Sequence, residues 1–224
     1  MGSGAKKRME DPLASVVYRP GGRDTLVHFS GAVLTGGRSR RMGSPKSRLI
    51  VGGETLLHRQ LRILREAGAS ELWISVNPES PESPPEDPPT RIASDRIMNA
   101  GPLAGMEALL LSAQTPWVLI VAVDLPRLTV GFIKDLLCQV TETSGAVPIL
   151  GGRVEPLCAV YPKKAAAIAT RCLEEGRLEA TRLAHIGIQE GWLTPWTLSE
   201  SDGEHLTNWN HPGEFEQGGP AMNP

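Results

Sequence analysis

A chain of 224 residues, 40% hydrophobic and 21% charged, is long enough to bury one sizeable core, with or without tails. A net charge of −2 and an isoelectric point near 6.2 lack the basic excess of a protein that lives on nucleic acid. Three cysteines without C-x-x-C spacing (Cys138, Cys158, Cys172) argue against a disulfide scaffold and fit reduced thiols in the cytosol, so a cytoplasmic location is expected. The five histidines are scattered, which points away from zinc. No apolar run reaches the roughly 18 residues that span a bilayer, so no membrane segment is expected.

Residues 1–24 are rich in Gly, Pro and charge and are expected to form a flexible extension. Lys6-Lys7-Arg8 has no apolar stretch behind it, unlike a secretory signal. Leu26 to Leu34 predicts a buried first strand. From Glu54 to Ala67, Leu56, Leu57, Leu61 and Leu64 recur at helical spacing, and Gly68 should stop that helix. Leu72 to Val76 predicts a second strand. The proline-rich stretch Pro78 to Pro89 predicts an extended surface loop, serving as a linker or leaning over a site. A short strand is expected over Arg91–Ser94 and a helix over Pro102–Gln114, with proline in its first turn. Val118 to Val123 is the clearest strand, ending in Asp124-Leu-Pro126. Helices over Val130–Gln139, Lys164–Glu174 and Glu179–His185, and strands over Ala146–Ile149 and Pro156–Tyr161, complete the pattern. Apolar strands alternating with amphipathic helices imply an α/β domain, residues 25–217, whose parallel sheet is covered on both faces, followed by a tail over 218–224.

The segment from Gly31 to Lys46 carries the most chemistry. An apolar run ends in Gly36-Gly37, and Arg38, Arg40, Arg41 and Lys46 follow. Backbone amides freed of side chains, with basic groups behind them, make a seat for a polyphosphate. The spacing is not that of a Walker A loop, because Ser44 and Pro45 separate Gly43 from Lys46. Nor is it the dinucleotide fingerprint, since Gly36 and Gly37 are adjacent. In a parallel sheet, ligands gather where strands end, and three strand ends carry polar groups: Gly36-Gly37, Asn77 and Asp124. Asp124 suits Mg²⁺ ligation; its structural alternative is an N-cap for the next helix, although Thr129 is better placed for that. Lys46 would neutralise charge on a transferring phosphoryl group, or else stand exposed on a loop.

Leu34-Thr35-Gly36-Gly37-Arg38-Ser39-Arg40-Arg41-Met42-Gly43-Ser44-Pro45-Lys46 resembles the signature L-A-G-G-x-S-x-R-M-G-x-D-K of the molybdenum cofactor guanylyltransferase (MobA-type) nucleotidyltransferases. Thr35 stands where that family has Ala. Pro45 stands where it has Asp, which removes a carboxylate and stiffens the approach to Lys46. The resemblance continues in order through Asp95, Gly101-Pro102-Leu103-Ala104-Gly105, Val123-Asp124-Leu125-Pro126, Glu155-Pro-Leu-Cys-Ala-Val-Tyr161 and Asn208-Trp-Asn210-His-Pro212, where His211 replaces the family Thr.

The resemblance implies a Rossmann-like, three-layer α/β/α fold with a mostly parallel sheet, as in nucleotide-diphospho-sugar transferases. It implies transfer of GMP from GTP to molybdopterin, with release of pyrophosphate. GTP would be bound by Leu34, Thr35, Gly36, Gly37, Lys46, Asn77, Asp95, Gly101 and Asp124. Arg41, Lys46 and Asp124 would serve catalysis, with Mg²⁺ on Asp124. Asn208 and Asn210 would bind the acceptor, and the Glu155–Tyr161 segment would shape the acceptor cleft and support packing. Asp95 would accept from guanine N1–H and the exocyclic amine. Molybdenum cofactor delivery proteins or recipient enzymes are the implied partners. Related enzymes using CTP or a sugar or polyol phosphate, and a non-catalytic nucleotide-binding homologue, remain as alternatives.

Overall fold

A computed structural model of the chain describes residues 15–18, 24–35, 46–78, 83–98 and 100–208. Its strands are β1 (Ser15–Tyr18), β2 (Asp24–Val27), β3 (Phe29–Leu34), β4 (Ile50–Val51), β5 (Glu54–Thr55), β6 (Glu71–Val76), β7 (Arg91–Ser94), β8 (Trp117–Ala122), β9 (Gly145–Leu150), β10 (Arg153–Val154), β11 (Cys158–Pro162) and β12 (Leu193–Thr197). The helices are α1 (Leu56–Glu66), α2 (Pro102–Ser112), α3 (Val130–Leu137), α4 (Ala165–Glu174), α5 (Ala180–Gln189) and α6 (Glu200–Gly203).

The main sheet runs β10-β9-β11-β8-β3-β6-β7, with β12 pairing parallel to β9. Strands β7, β6, β3 and β8 are mutually parallel; Val33 lies opposite Ile74 on one side and Val121 on the other. Strand β3 is buried along its whole length, as a central parallel strand must be when helices cover both faces. Along β8, successive residues serve opposite layers. Leu119 and Val121 pack with Leu56, Leu61, Phe132 and Leu136 of α1 and α3. Val118 and Ile120 pack with Leu103, Leu109, Ala169 and Leu183 of α2, α4 and α5. The chain is therefore a three-layer α/β/α sandwich.

The sheet is mixed rather than wholly parallel. Strand β11 is antiparallel to both β8 and β9. The reversal begins at Gly151-Gly152, whose φ angles of 55° and 79° suit a tight hairpin between β9 and β10. The predicted first strand over Leu26–Leu34 is two strands, and β2 pairs with β1 in a sheet of its own, so the segment read as a flexible extension includes a strand at Ser15–Tyr18. Beyond the prediction, α5 runs on to Gln189, and β12 and the capped turn α6 follow it.

Local signals explain the element ends nearest the site. Thr55 caps α1 by accepting from the His58 amide at 3.2 Å, and Gly68, at φ 98°, follows the helix. Gly101 takes φ 68° at the N-cap of α2, with Pro102 in the first turn. A Cβ at Gly105 would lie 2.7 Å from Leu34 Cδ2 and 2.9 Å from Ser75 Oγ, so the second glycine of G-P-L-A-G lets α2 sit directly on β3 and β6. The described part of the proline-rich loop is tied by Asp87 to Arg65 in the last turn of α1 at 2.9 Å, at the opposite end of that helix from Thr55.

Candidate active site

The parallel half of the sheet brings the expected residues to one edge. Leu34 ends β3 and Thr35 follows it, its hydroxyl donating to the Ser75 carbonyl on β6. Asn77 follows β6, and Asp95 follows β7 with its amide on the Val76 carbonyl at 3.0 Å. Asp124 follows β8, where the Val123 amide bonds the Leu34 carbonyl at 3.1 Å. Gly101 opens α2. Gly36, Gly37, Arg41 and Asn210 lie outside the described residues.

Lys46 enters this edge on a short 3₁₀ turn, Lys46–Arg48, whose middle residue, Ser47, is buried. Its Nζ donates to Asp124 Oδ2 at 2.8 Å, and the two side chains remain 18% and 19% exposed. Two groups 78 positions apart in sequence thus meet where a ligand can reach both. Asp124 does not cap the next helix: the Thr129 side chain accepts from the Phe132 amide and caps α3.

Helix α1 braces the pair from behind. The Leu56 amide bonds the Leu49 carbonyl at 2.8 Å and so holds the segment leading from Lys46. Gln60 Nε2 donates to the Leu125 carbonyl at 2.7 Å, and Arg59 Nε to the Pro126 carbonyl at 2.9 Å. Neither residue is among those expected from sequence. Gln60 does carry a readable sign, a polar residue on the stripe of Leu56, Leu57, Leu61 and Leu64.

Asp95 is the most perturbed carboxylate at this edge. Burial, reinforced by the negative charge of Glu107, pushes its pKa up to about 6. Its Oδ1 is buried without a hydrogen-bond partner among the described residues. Glu107, buried within α2, accepts through Oε1 from Arg96 at 3.0 Å and Thr170 at 2.7 Å. An acceptor held out of water without a donor is unfavourable, and a ligand presenting N–H groups would satisfy it.

Beside Asp124 opens a cleft of about 900 Å³ bounded by described residues, of a size that fits a substrate. Ala122 and Leu125, flanking Asp124 in sequence, line it, with Pro102, Glu155, His185 and Asn208. Asn208, expected on the acceptor side, is therefore at the cleft. The Tyr161 hydroxyl, fully buried on β11, donates to the Pro156 carbonyl at 2.7 Å and fixes the cleft wall, as expected of a packing role for this segment.

Residues 31–187 match the family of the MobA-like NTP transferase domain. A protein of Opitutus terrae named a probable molybdenum cofactor guanylyltransferase is 37% identical over 192 residues, covering 84% of this chain and 94% of the relative. A protein of Chloroflexus aggregans with the same name is 30% identical, covering 85% of this chain and 94% of the relative. Among solved structures, molybdopterin-guanine dinucleotide biosynthesis protein A of Archaeoglobus fulgidus superposes with a TM-score of 0.63 at 17% identity, covering 84% of this chain and 95% of that one. The 2-C-methyl-D-erythritol 4-phosphate cytidylyltransferase of Thermus thermophilus gives 0.64 at 22% identity, covering 85% and 96%. The structural likenesses confirm the fold. The sequence matches, spanning the strand edge that holds Asp95, Lys46 and Asp124, place the chain among the nucleotidyltransferases of the MobA-like NTP transferase domain family.

Proposed function

We propose that the protein transfers GMP from GTP to molybdopterin in the cytoplasm. An oxygen of the acceptor's terminal phosphate attacks the α-phosphorus of GTP, the bond from that phosphorus to the bridging oxygen breaks, and pyrophosphate leaves. The observation that carries this reading is the 2.8 Å contact of Lys46 Nζ with Asp124 Oδ2, at the strand edge and beside the cleft. An ammonium there can neutralise phosphate charge as it builds, and little covalent work is asked of the protein. A phosphate nucleophile needs no general base.

Asp124 would hold Mg²⁺ together with the triphosphate oxygens. Asp124 presents a part-exposed carboxylate at the strand edge, and Mg²⁺ on nucleotides is commonly held by one or two carboxylates plus substrate phosphates. Held there, the ion would supply positive charge to the phosphates. Thr35 and the amides of Gly36 and Gly37 would seat the phosphates, with Arg41 adding charge. Asn77 and Gly101 would lie against the nucleoside. Asp95 would accept from N1–H and the 2-amino group of guanine, a donor pair that cytosine and uracil lack, and its unpartnered Oδ1 supports that choice. Asn208 and Asn210 would bind the acceptor through their amides. The guanine dinucleotide product would pass to cofactor delivery proteins or to recipient enzymes.

The test supplies each of the four nucleoside triphosphates with Mg²⁺ and molybdopterin, follows pyrophosphate, and weighs the pterin product. Release with GTP and a guanine dinucleotide product are expected. Turnover with CTP instead, or tight GTP binding without turnover, would overturn the assignment.

A further inference from the structure

The cleft beside Asp124 contains a carboxylate that the reaction described above does not use. Glu155 sits between β10 and β11 on a turn fixed at three points. Its amide donates to the Pro148 carbonyl at 2.9 Å, its own carbonyl accepts from the Cys158 amide at 3.4 Å, and the next carbonyl, that of Pro156, accepts from Tyr161. The side chain is half-buried and lines the cleft. Among the described residues no hydrogen bond or ion pair reaches its carboxylate. Burial pushes its pKa upward, and Arg153, exposed nearby, only partly offsets this. A rigid backbone thus holds an incompletely solvated acceptor toward the place where the second substrate must lie.

Asp95 presents the same combination on the nucleotide side of the edge: a carboxylate lifted by burial, with an oxygen lacking a donor. The two substrates share one chemical feature. Guanine and pterin each carry a 2-amino-4-oxo-pyrimidine ring, whose ring N–H and adjacent amine form a parallel donor pair that matches two carboxylate oxygens. We infer that Glu155 is the specificity residue for the acceptor, its carboxylate taking the ring N–H and 2-amino group of the pterin from the cleft wall. This rests on molybdopterin being the acceptor. It assigns to Glu155 the reading of the ring, with the phosphate end left to the groups around Asp124. A pteridine lacking the amine offers one donor fewer and leaves a carboxylate oxygen unpartnered, which is how a buried polar group rejects a near-isostere.

The full-length protein is titrated with 6-methylpterin and with 6-methyllumazine, in which an oxo group replaces the 2-amine, by fluorescence. The wild type should prefer the pterin by about tenfold, and Glu155→Gln should abolish the preference, because an amide cannot accept through both of its positions. In pyrophosphate release, Glu155→Gln should raise the KM for molybdopterin about tenfold while kcat stays within about threefold and the Kd for GTP is unchanged. A wild type without pterin preference, a preference that survives in the variant, or a fall in kcat at constant KM would overturn the inference. Failure of the guanylyltransferase reading looks different: the wild type would release no pyrophosphate with molybdopterin, while Glu155-dependent pterin preference could still be present.

Discussion

If Asp95 accepts from guanine, GTP binding must be coupled to a proton. In the free protein burial and Glu107 hold its pKa near 6. The carboxyl can accept both guanine donors only when ionised, and those donors would draw its pKa back toward or below the ordinary 3.8. Affinity should therefore be full above pH about 7 and fall as pH drops through about 6. At pH 5 roughly one molecule in eleven is ionised, so binding weakens about tenfold, or about 1.4 kcal/mol. Calorimetric titration with GTP between pH 5 and pH 8 measures this. The γ-phosphate also titrates near pH 6, so the reading is the ratio of wild-type to Asp95→Asn affinity, which cancels it. That ratio should change about tenfold between pH 8 and pH 5. The same group has a sign for stability. Its folded pKa lies above its unfolded value, so the folded state binds the extra proton and stability falls as pH rises from about 4 to about 6. Asp95→Asn should leave stability unchanged below pH 4 and raise it by on the order of 2 kcal/mol at pH 7. An affinity ratio constant across the range would refute the placement of guanine on Asp95.

Asp124→Ala should lower transfer by at least about a thousandfold with an unchanged circular dichroism spectrum, since the carboxylate meets solvent and Lys46 rather than the core. Retained Mg²⁺-dependent pyrophosphate release in that variant would remove Asp124 from the mechanism. Lys46→Ala should cost roughly a hundredfold or more in kcat, and unchanged kinetics would show that the ammonium does not act on the phosphates. Gln60→Ala, which leaves the Leu125 carbonyl without its donor, should destabilise the fold by about 1–3 kcal/mol in urea and lower kcat without changing GTP affinity at saturating Mg²⁺. Wild-type stability in that variant would mean that another donor reaches the Leu125 carbonyl.

Much of the site edge was legible because continuous apolar runs mark central strands, and their ends mark the edge. Val118–Val123 located Asp124, and Arg91–Ser94 matches β7 residue for residue, placing Asp95. The meeting of Lys46 with Asp124 follows only in part from the same logic: Asp124 is read at a strand end, whereas Lys46 is read on the loop that leaves the first strand, and only the family resemblance sets the two in one site. The direction of β11 was not legible: a run buried on both faces reads alike in either orientation, and only the paired glycines before β10 betray the turn. Strand β12 was hidden by Pro195, which breaks the usual strand composition and is tolerated here although β12 pairs with β9. The bracing by Gln60 depends on a carbonyl 65 positions away, which no local pattern encodes.

The reversal at β11 divides labour within a single sheet. Strands β7, β6, β3 and β8 supply the groups assigned to the nucleotide, whereas the returning hairpin and β11 supply Glu155 and the wall of the neighbouring hollow. With the substrates seated as proposed, the recipient side would be open to rebuilding through a turn and a few side chains while the strand ends of the parallel half stay in place. A scaffold partitioned this way invites redesign of the recipient side by exchanging the segment from Gly151 to Tyr161 together with Asn208, which lines the same hollow.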